Sequence, residues 1–392
     1  MKKNRLIILF FITLCLYSCS NNSDYEEVKY PNVAKTFAGK IDLNALANYA
    51  NQSKPSYITK DNTSENPITD KGATLGRVLF YDKNLSSNNS ISCSSCHVQE
   101  NAFGDISISS EGVNGKTTRH SMRLVNNRFA NEKNFFWDER VATLELQTTQ
   151  PIQNHIEMGF SGTLGDPDLA TLITKLQKIE YYRELFKFVY GSEIITENKI
   201  QLALAQFVRS IQSFDSKYDT GRALVSNDNL PFSNFTVQEN QGKDLFLNPP
   251  VFDTTGNRIS GGVGCAVCHA APEFDIDPNT KNNGIIGVLN GTGIDISVTR
   301  APSLRDLVKP NGASNGSMMH TANFETIKNV IGHYGTINVA PKNINLDPRL
   351  TPNGYGQQLH LNATEINALT AFIQTLSGHN LYLDTKWSNP FN

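Results

Sequence analysis

Cys93-Ser94-Ser95-Cys96-His97 and Cys265-Ala266-Val267-Cys268-His269 are two copies of one pattern, Cys-x-x-Cys-His, set far apart in a single chain. The spacing has a chemical reason. Two thiols three positions apart can add to the two vinyl groups of one haem, and the adjacent His then reaches the iron from the same side. The pair implies two covalently bound haem c groups, one on Cys93 and Cys96 and one on Cys265 and Cys268. His97 and His269 are then iron ligands. A zinc site would bring the two Cys pairs much closer and would not need a His after each. A dithiol redox motif needs one pair and no trailing His.

The amino terminus reads as a targeting segment. Lys2, Lys3 and Arg5 supply a positive start, and Leu6 to Tyr17 is an apolar run too short to span a bilayer. It ends at Leu16-Tyr17-Ser18-Cys19, which resembles a bacterial lipoprotein box. Residues 1–18 are then a removed signal peptide. The product starts at an acylated Cys19, exported to the periplasm and anchored to a membrane by lipid. An ordinary cleaved signal peptide is the alternative. Of six cysteines, Cys15 is removed, Cys19 is acylated and four carry haem, so none is left for a disulfide. Stability then leans on the core and the cofactors. The formal net charge of −2, from 35 basic and 37 acidic residues, comes with no Lys/Arg cluster and excludes a nucleic-acid partner. Ser20 to Tyr30 is polar and acidic and reads as a flexible tether, drawn over 19–55.

The rest divides at the repeated motif into 56–230 and 231–392. Gly76-Arg77-Val78-Leu79-Phe80 precedes the first Cys-x-x-Cys-His, and Gly242-Lys243-Asp244-Leu245-Phe246 precedes the second. Each is expected to end a short helix, the second opening at a Thr236/Glu239 capping box. Thr196-Glu197 and Thr364-Glu365 each open a segment with apolar residues at helical spacing: Ile200, Leu204, Phe207 and Ile211 in one, Leu369, Phe372 and Leu376 in the other. A helix, a haem-binding loop and a closing helix are the minimum that encloses one haem. Asp166 to Tyr190 reads as a further helical stretch, while 253–264 and 275–298 read as loops. The expected fold is mainly α: two cytochrome c-like domains, each around one covalent haem, with long loops, few strands and a tail packing back.

These residues, together with Phe136-Trp137-Asp138-Glu139-Arg140 and Pro151-Ile152-Gln153-Asn154-His155-Ile156-Glu157-Met158-Gly159, resemble the bacterial di-haem cytochrome c peroxidases, a group that includes the MauG oxidases. The resemblance runs from about Leu75 to Gly378. It implies that the first haem binds peroxide and the second receives electrons. It puts Trp137 between the haems, and Gln147 and Glu157 over the peroxide. It aligns Tyr334 with the far-side ligand of the second haem, with His333, Met318 and Met319 as competitors. It also implies departures. His120 stands where an Asn helps bind calcium, which puts that ion in doubt. No His lies between His97 and His120, so the first iron is expected to be open to peroxide. Glu139 replaces a Gly, and His155 a Pro.

In that reading Glu157 moves a proton from the inner to the outer peroxide oxygen and Gln147 orients the peroxide. Trp137 offers an oxidisable ring. The expected activity is reduction of hydrogen peroxide to water with electrons from a small exported cytochrome or similar donor, in a monomer or a homodimer. MauG-like oxidation of a protein or organic substrate is a second reading, and a non-catalytic di-haem electron carrier a third.

Overall fold

The computed structural model describes residues 29–130, 134–276 and 279–391; the expected signal peptide and the expected acylation site at Cys19 lie outside them. Among the described residues the elements are helical, apart from three two-stranded antiparallel ribbons. The helices are α1 (Pro31–Phe37), α2 (Asp70–Tyr81), α3 (Cys93–Cys96), α4 (Leu144–Thr148), α5 (Leu169–Gln177), α6 (Glu180–Tyr190), α7 (Glu197–Ser210), α8 (Lys217–Arg222), α9 (Val237–Leu247), α10 (Ile327–Gly335) and α11 (Ala363–Gln374). The ribbons pair β1 (Glu111–Gly112) with β2 (Gly115–Lys116), β3 (Pro250–Phe252) with β4 (Arg258–Gly261), and β5 (His269–Ala270) with β6 (Asp275–Ile276). No helix among the described residues is long and apolar enough to cross a membrane.

Two helix crossings carry the fold, and they are the same crossing twice. At Gly76 in α2 a Cβ would sit 2.0 Å from the Ala203 carbonyl oxygen and 2.7 Å from Phe207 Cβ of α7. At Gly242 in α9 it would sit 1.9 Å from the Ala368 oxygen and 2.9 Å from Phe372 Cβ of α11. Only Gly permits backbones to meet this closely, so the repeated Gly sets the helix pair before each haem motif. Side-chain caps start the helices: Thr69 for α2, Thr196 for α7, Thr236 with Glu239 for α9, and Asn362 with Glu365 for α11. The last of these begins earlier than the Thr364-Glu365 start read from the sequence.

Each crossing sits in its own apolar core. The first runs from Val33 to Ile211 and takes in Leu381 and Trp387; the second runs from Tyr218 to Leu376. The carboxyl-terminal tail therefore lies on the first core, where Trp387 Nε1 donates to Ser210 Oγ at 3.2 Å and the Trp387 carbonyl accepts from Tyr81 at 2.6 Å.

Three boundaries differ from the sequence reading. The chain is packed well before residue 56, because Val33, Phe37 and Tyr49 are buried and the Glu184 carboxylate accepts from the Asn32 and Val33 amides at the start of α1. The second core already includes Tyr218, ahead of the boundary at 231. The stretch 166–190 is two helices, broken where Ile179 is extended at φ −93° and ψ 117°.

Candidate functional site

The first haem motif forms α3, held by a capping box between Ser92 and Ser95. Neither motif contains a disulfide. Burial pushes the Cys93 thiol up to about 12 and Cys96 to about 11, so both are neutral thiols. His97 Nδ1 lies 3.1 Å from the Phe103 carbonyl, which can only accept. Nδ1 therefore carries the proton and Nε2 keeps its lone pair for a metal, the usual arrangement of a ligating imidazole. In the second motif Cys265 is pushed up to about 12. The buried His269 ring is pushed down to about 4 by its surroundings, opposed by the Pro302 carbonyl, which does not close a full hydrogen bond to Nδ1.

Each motif opens onto its own cavity. The cavity of about 560 Å³ beside Cys93, Cys96 and His97 also holds Gln147 and Glu157, so the structure brings these candidates together. Its size suits a cofactor with a small substrate. Gln147 projects from α4 and makes no side-chain hydrogen bond to the described protein. Glu157 follows a turn in which the Asn154 side chain accepts from the Ile156 and Glu157 amides. Its carboxyl has no hydrogen-bond partner. Burial raises its pKa, and only the more distant Arg140 opposes this. Arg140 is committed to Asp138 at 2.7 Å and stacks on Phe136. A carboxyl with a raised pKa facing the His97 cavity is suited to take up and return a proton there.

Trp137 lines both cavities. Its Nε1 donates to the His120 carbonyl at 2.7 Å, and its own carbonyl accepts from the Thr299 and Arg300 amides at 2.9 and 3.1 Å. The His120 amide in turn donates to the His320 carbonyl at 2.7 Å. The wall between the cavities is thus stitched through backbone groups of both halves. Glu139 in this loop has φ 52°, in the left-handed region where Gly is favoured. Its carboxylate accepts from the Thr299 hydroxyl at 2.6 Å, which fastens the strained loop to the opposite half. His120 gives Nδ1 to the Ile108 carbonyl at 3.1 Å. Among the described residues no cluster of three His, Cys, Asp or Glu is placed to hold a metal ion.

Two arginines that the sequence reading passed over also line both cavities. Burial pushes Arg300 down to about 9 and Arg123 down to about 10. Arg123 makes no hydrogen bond or ion pair with any described residue, and its buried Nε is unsatisfied. Asp306 attracts it without bonding to it, and a desolvated cation is costly unless an anion completes the site. Haem carboxylates would do so. Together with the thiol pairs and the His97 tautomer, this makes the residues fit two c-type haems. Nothing in the sequence near Arg123 marks it, because only the fold puts it between the cavities.

In the second cavity, Tyr334 projects from α10 and is half-buried; desolvation raises its pKa, and Asn283 Nδ2 donates to its hydroxyl at 3.3 Å and opposes that rise. Met318 and Met319 also line this cavity. His333 turns the other way, its Nε2 donating to the Asn283 carbonyl at 2.9 Å. Of the remaining histidines, His155 pairs with Asp166 at 2.8 Å, His320 bonds the Gly287 carbonyl and His360 bonds Asn257.

Residues 70–224 match the family model of the di-haem cytochrome c peroxidases. The chain is 29% identical over 328 residues to a methylamine utilization protein MauG of Methylophilus methylotrophus, covering 80% of this chain and 84% of that protein. It is 26% identical over 319 residues to a cytochrome c551 peroxidase of Nitrosomonas europaea, covering 78% and 80%. Among solved structures, a MauG-like protein associated with microbial copper homeostasis superposes with a TM-score of 0.66 at 27% identity, covering 87% of this chain and 99% of that one. The diheme peroxidase BthA of Burkholderia thailandensis shares the fold, with a TM-score of 0.59 at 18% identity, covering 88% and 90%.

Proposed function

Because this chain belongs to the di-haem cytochrome c peroxidase family, we propose that it reduces hydrogen peroxide to water in the His97 cavity, with electrons delivered by a small exported cytochrome or similar donor through the His269 side. The observation that carries the proposal is Glu157: a half-buried carboxyl with no hydrogen-bond partner, in the same cavity as His97 and Gln147.

When bound, the two iron porphyrins supply the redox centre that peroxide meets and a store for one oxidising equivalent. The chain supplies the rest. His97 offers Nε2, its orientation set by Phe103. Gln147 presents an unengaged carboxamide that can donate to one peroxide oxygen and accept from the other. Glu157 takes the proton from the inner oxygen and returns it to the outer one, so that the outer oxygen leaves as water. Two further protons and two electrons then convert the remaining oxygen to the second water. Trp137 gives the electrons a ring that touches both cavities.

MauG-like oxidation of a protein or organic substrate is the second reading. Tyr334 supports it, because an oxygen ligand on the second iron would favour ferric and higher states over ready acceptance of electrons. Turnover decides. The haem-loaded protein is mixed with reduced cytochrome c and peroxide: rapid cytochrome oxidation supports the peroxidase, and slow oxidation with a persistent oxidised enzyme supports the oxidase. A ferric spectrum that peroxide leaves unchanged removes both.

A further inference from the structure

Four side chains compete on sequence grounds for the far side of the second haem, and one residue touches three of them, Tyr334, His333 and Met319. Asn283 lies in the Asn282-Asn283-Gly284 segment ahead of α10 and lines the second cavity. Its backbone carbonyl accepts from His333 Nε2 at 2.9 Å. Its Nδ2 is 3.3 Å from the Tyr334 hydroxyl oxygen and 3.3 Å from Met319 Sδ. The other end of the carboxamide is tied down, Oδ1 accepting from the Ile285 amide at 3.1 Å. A carboxamide carries two N–H donors, so one can serve the oxygen and the other the sulfur. With Oδ1 held, neither donor can turn away without breaking the Ile285 bond.

The two held atoms are not equally free. Tyr334 is on a helix whose last turn is fastened by Gln357, which donates to the Tyr334 carbonyl at 2.6 Å. Met319 is outside any helix, on a residue with φ 70°. Its side chain has three rotatable bonds and a polarizable sulfur that adapts to what is nearby. The oxygen is placed by a rigid element; the sulfur is restrained by the amide.

We infer that Asn283 is a positioning residue that decides which atom the second iron receives. It presents the Tyr334 oxygen, keeps the Met319 sulfur beside it in reserve, and through its backbone carbonyl holds His333 out of the cavity. The inference rests on reading Tyr334 as the ligand. The choice matters because a phenol oxygen is a hard donor that favours ferric iron, whereas a thioether is soft and raises the potential. Removing the amide frees the sulfur to compete, and His333 stays where it is, because its partner is backbone.

The test uses the full-length, haem-loaded protein. Asn283→Asp keeps the shape of the side chain and removes both donors; Asn283→Leu removes polarity altogether. Porphyrin count by mass comes first, then ferric absorption and paramagnetic resonance spectra and the midpoint potentials. Both variants should gain the long-wavelength absorption of a sulfur–ferric iron bond at one haem, with an upward shift of its potential. The double variant Asn283→Leu/Met319→Leu should lose that absorption. If both single variants keep the wild-type spectrum and potential while Tyr334→Phe changes them, the inference is wrong and the ligand reading survives. If Tyr334→Phe itself changes nothing, the ligand reading fails, and Asn283 has no ligand to position. Should Asn283→Leu not mature, Asn283→Asp decides alone.

Discussion

Replacing Glu157 with Gln should cost activity and gain stability, and the opposite signs are what make the experiment decisive. The two side chains have the same shape, so the cavity is unchanged. The loss of rate follows from what else the cavity offers. Three other acids line it, and none can take over. Asp138 and Asp295 are each 2.7 Å from Arg119, and Glu111 pairs with Lys116 at 3.1 Å and is exposed. A positioned acid–base group contributes about 10²–10⁴-fold. With no substitute nearby, the peroxide-cleavage rate should fall by at least about a hundredfold, or roughly 2.7 kcal/mol of barrier. The stability argument has its own sign. Burial raises the Glu157 pKa, so the folded state disfavours the carboxylate. Stability is full below the ordinary carboxylate pKa and is lost as pH rises from there through the raised folded value, by about 1.4 kcal/mol for each unit of difference. Gln has no charge to bury, so the variant should be the more stable protein at pH 8 and equal to wild type at pH 4. Rapid mixing with peroxide gives the rate, and urea midpoints at the two pH values give the stability. A rate within about threefold of wild type would falsify the acid–base role. A variant less stable than wild type at pH 8 would show that Glu157 has a structural partner.

Trp137→Phe removes the Nε1 donor that the His120 carbonyl uses at 2.7 Å and should cost about 1 kcal/mol of stability. Peroxide should still react at the first haem, while electron arrival from the second slows; unchanged transfer in stopped flow would exclude Trp137 as the bridge. Arg305 is wholly buried, with Nη1 and Nη2 on the two Asp219 oxygens at 2.9 and 3.0 Å and a third bond to the Pro272 carbonyl, close to His269. Arg305→Met leaves the Asp219 charge buried and should cost about 3–5 kcal/mol in urea unfolding; a loss under 1 kcal/mol would mean that the pair is not buried in solution. Gly76→Ala and Gly242→Ala each push a methyl into a facing carbonyl, and each should cost about 1–3 kcal/mol or more. Similar costs at both positions are expected of a repeated crossing, and a neutral substitution at either one would rule out that close approach.

What the sequence disclosed depended on how local the chemistry is. Thioether attachment would need its two thiols and its His within five consecutive residues, so both Cys-x-x-Cys-His motifs can be found without any fold. Helical spacing in α7 and α11 was readable for the same reason, since one face is buried over several turns. The break at Ile179 was not, because α5 and α6 both turn apolar residues inward and the pattern runs on across the bend. Nor was the packing of α1, whose exposed amides are satisfied by Glu184, about 150 residues away. His333 and Tyr334 are neighbours on one helix, about 100° apart around its axis, and sequence could rank them only by resemblance. The structure separates them by their partners: a backbone carbonyl for His333, and a cavity-lining carboxamide for Tyr334.

The repeat also explains why two similar halves could be given different work. The Gly-mediated crossing fixes where each haem motif hangs, and it uses backbone contacts that are alike in both halves. The far side of each cavity is built from segments outside that crossing: α4 and the turn at Asn154 in the first half, the Asn283 segment and α10 in the second. These segments can change without disturbing the helix pair. In the first half they present a carboxyl and a carboxamide with no protein partner, groups that cost stability and are retained only where something else will bind them. In the second half they present an oxygen and a sulfur already tied to one amide. The unmet carboxyl and carboxamide suit the first far side to a small polar molecule, and the tied oxygen and sulfur suit the second to a fixed cofactor state. The division of labour proposed for the halves therefore rests on where these far-side hydrogen bonds are left open.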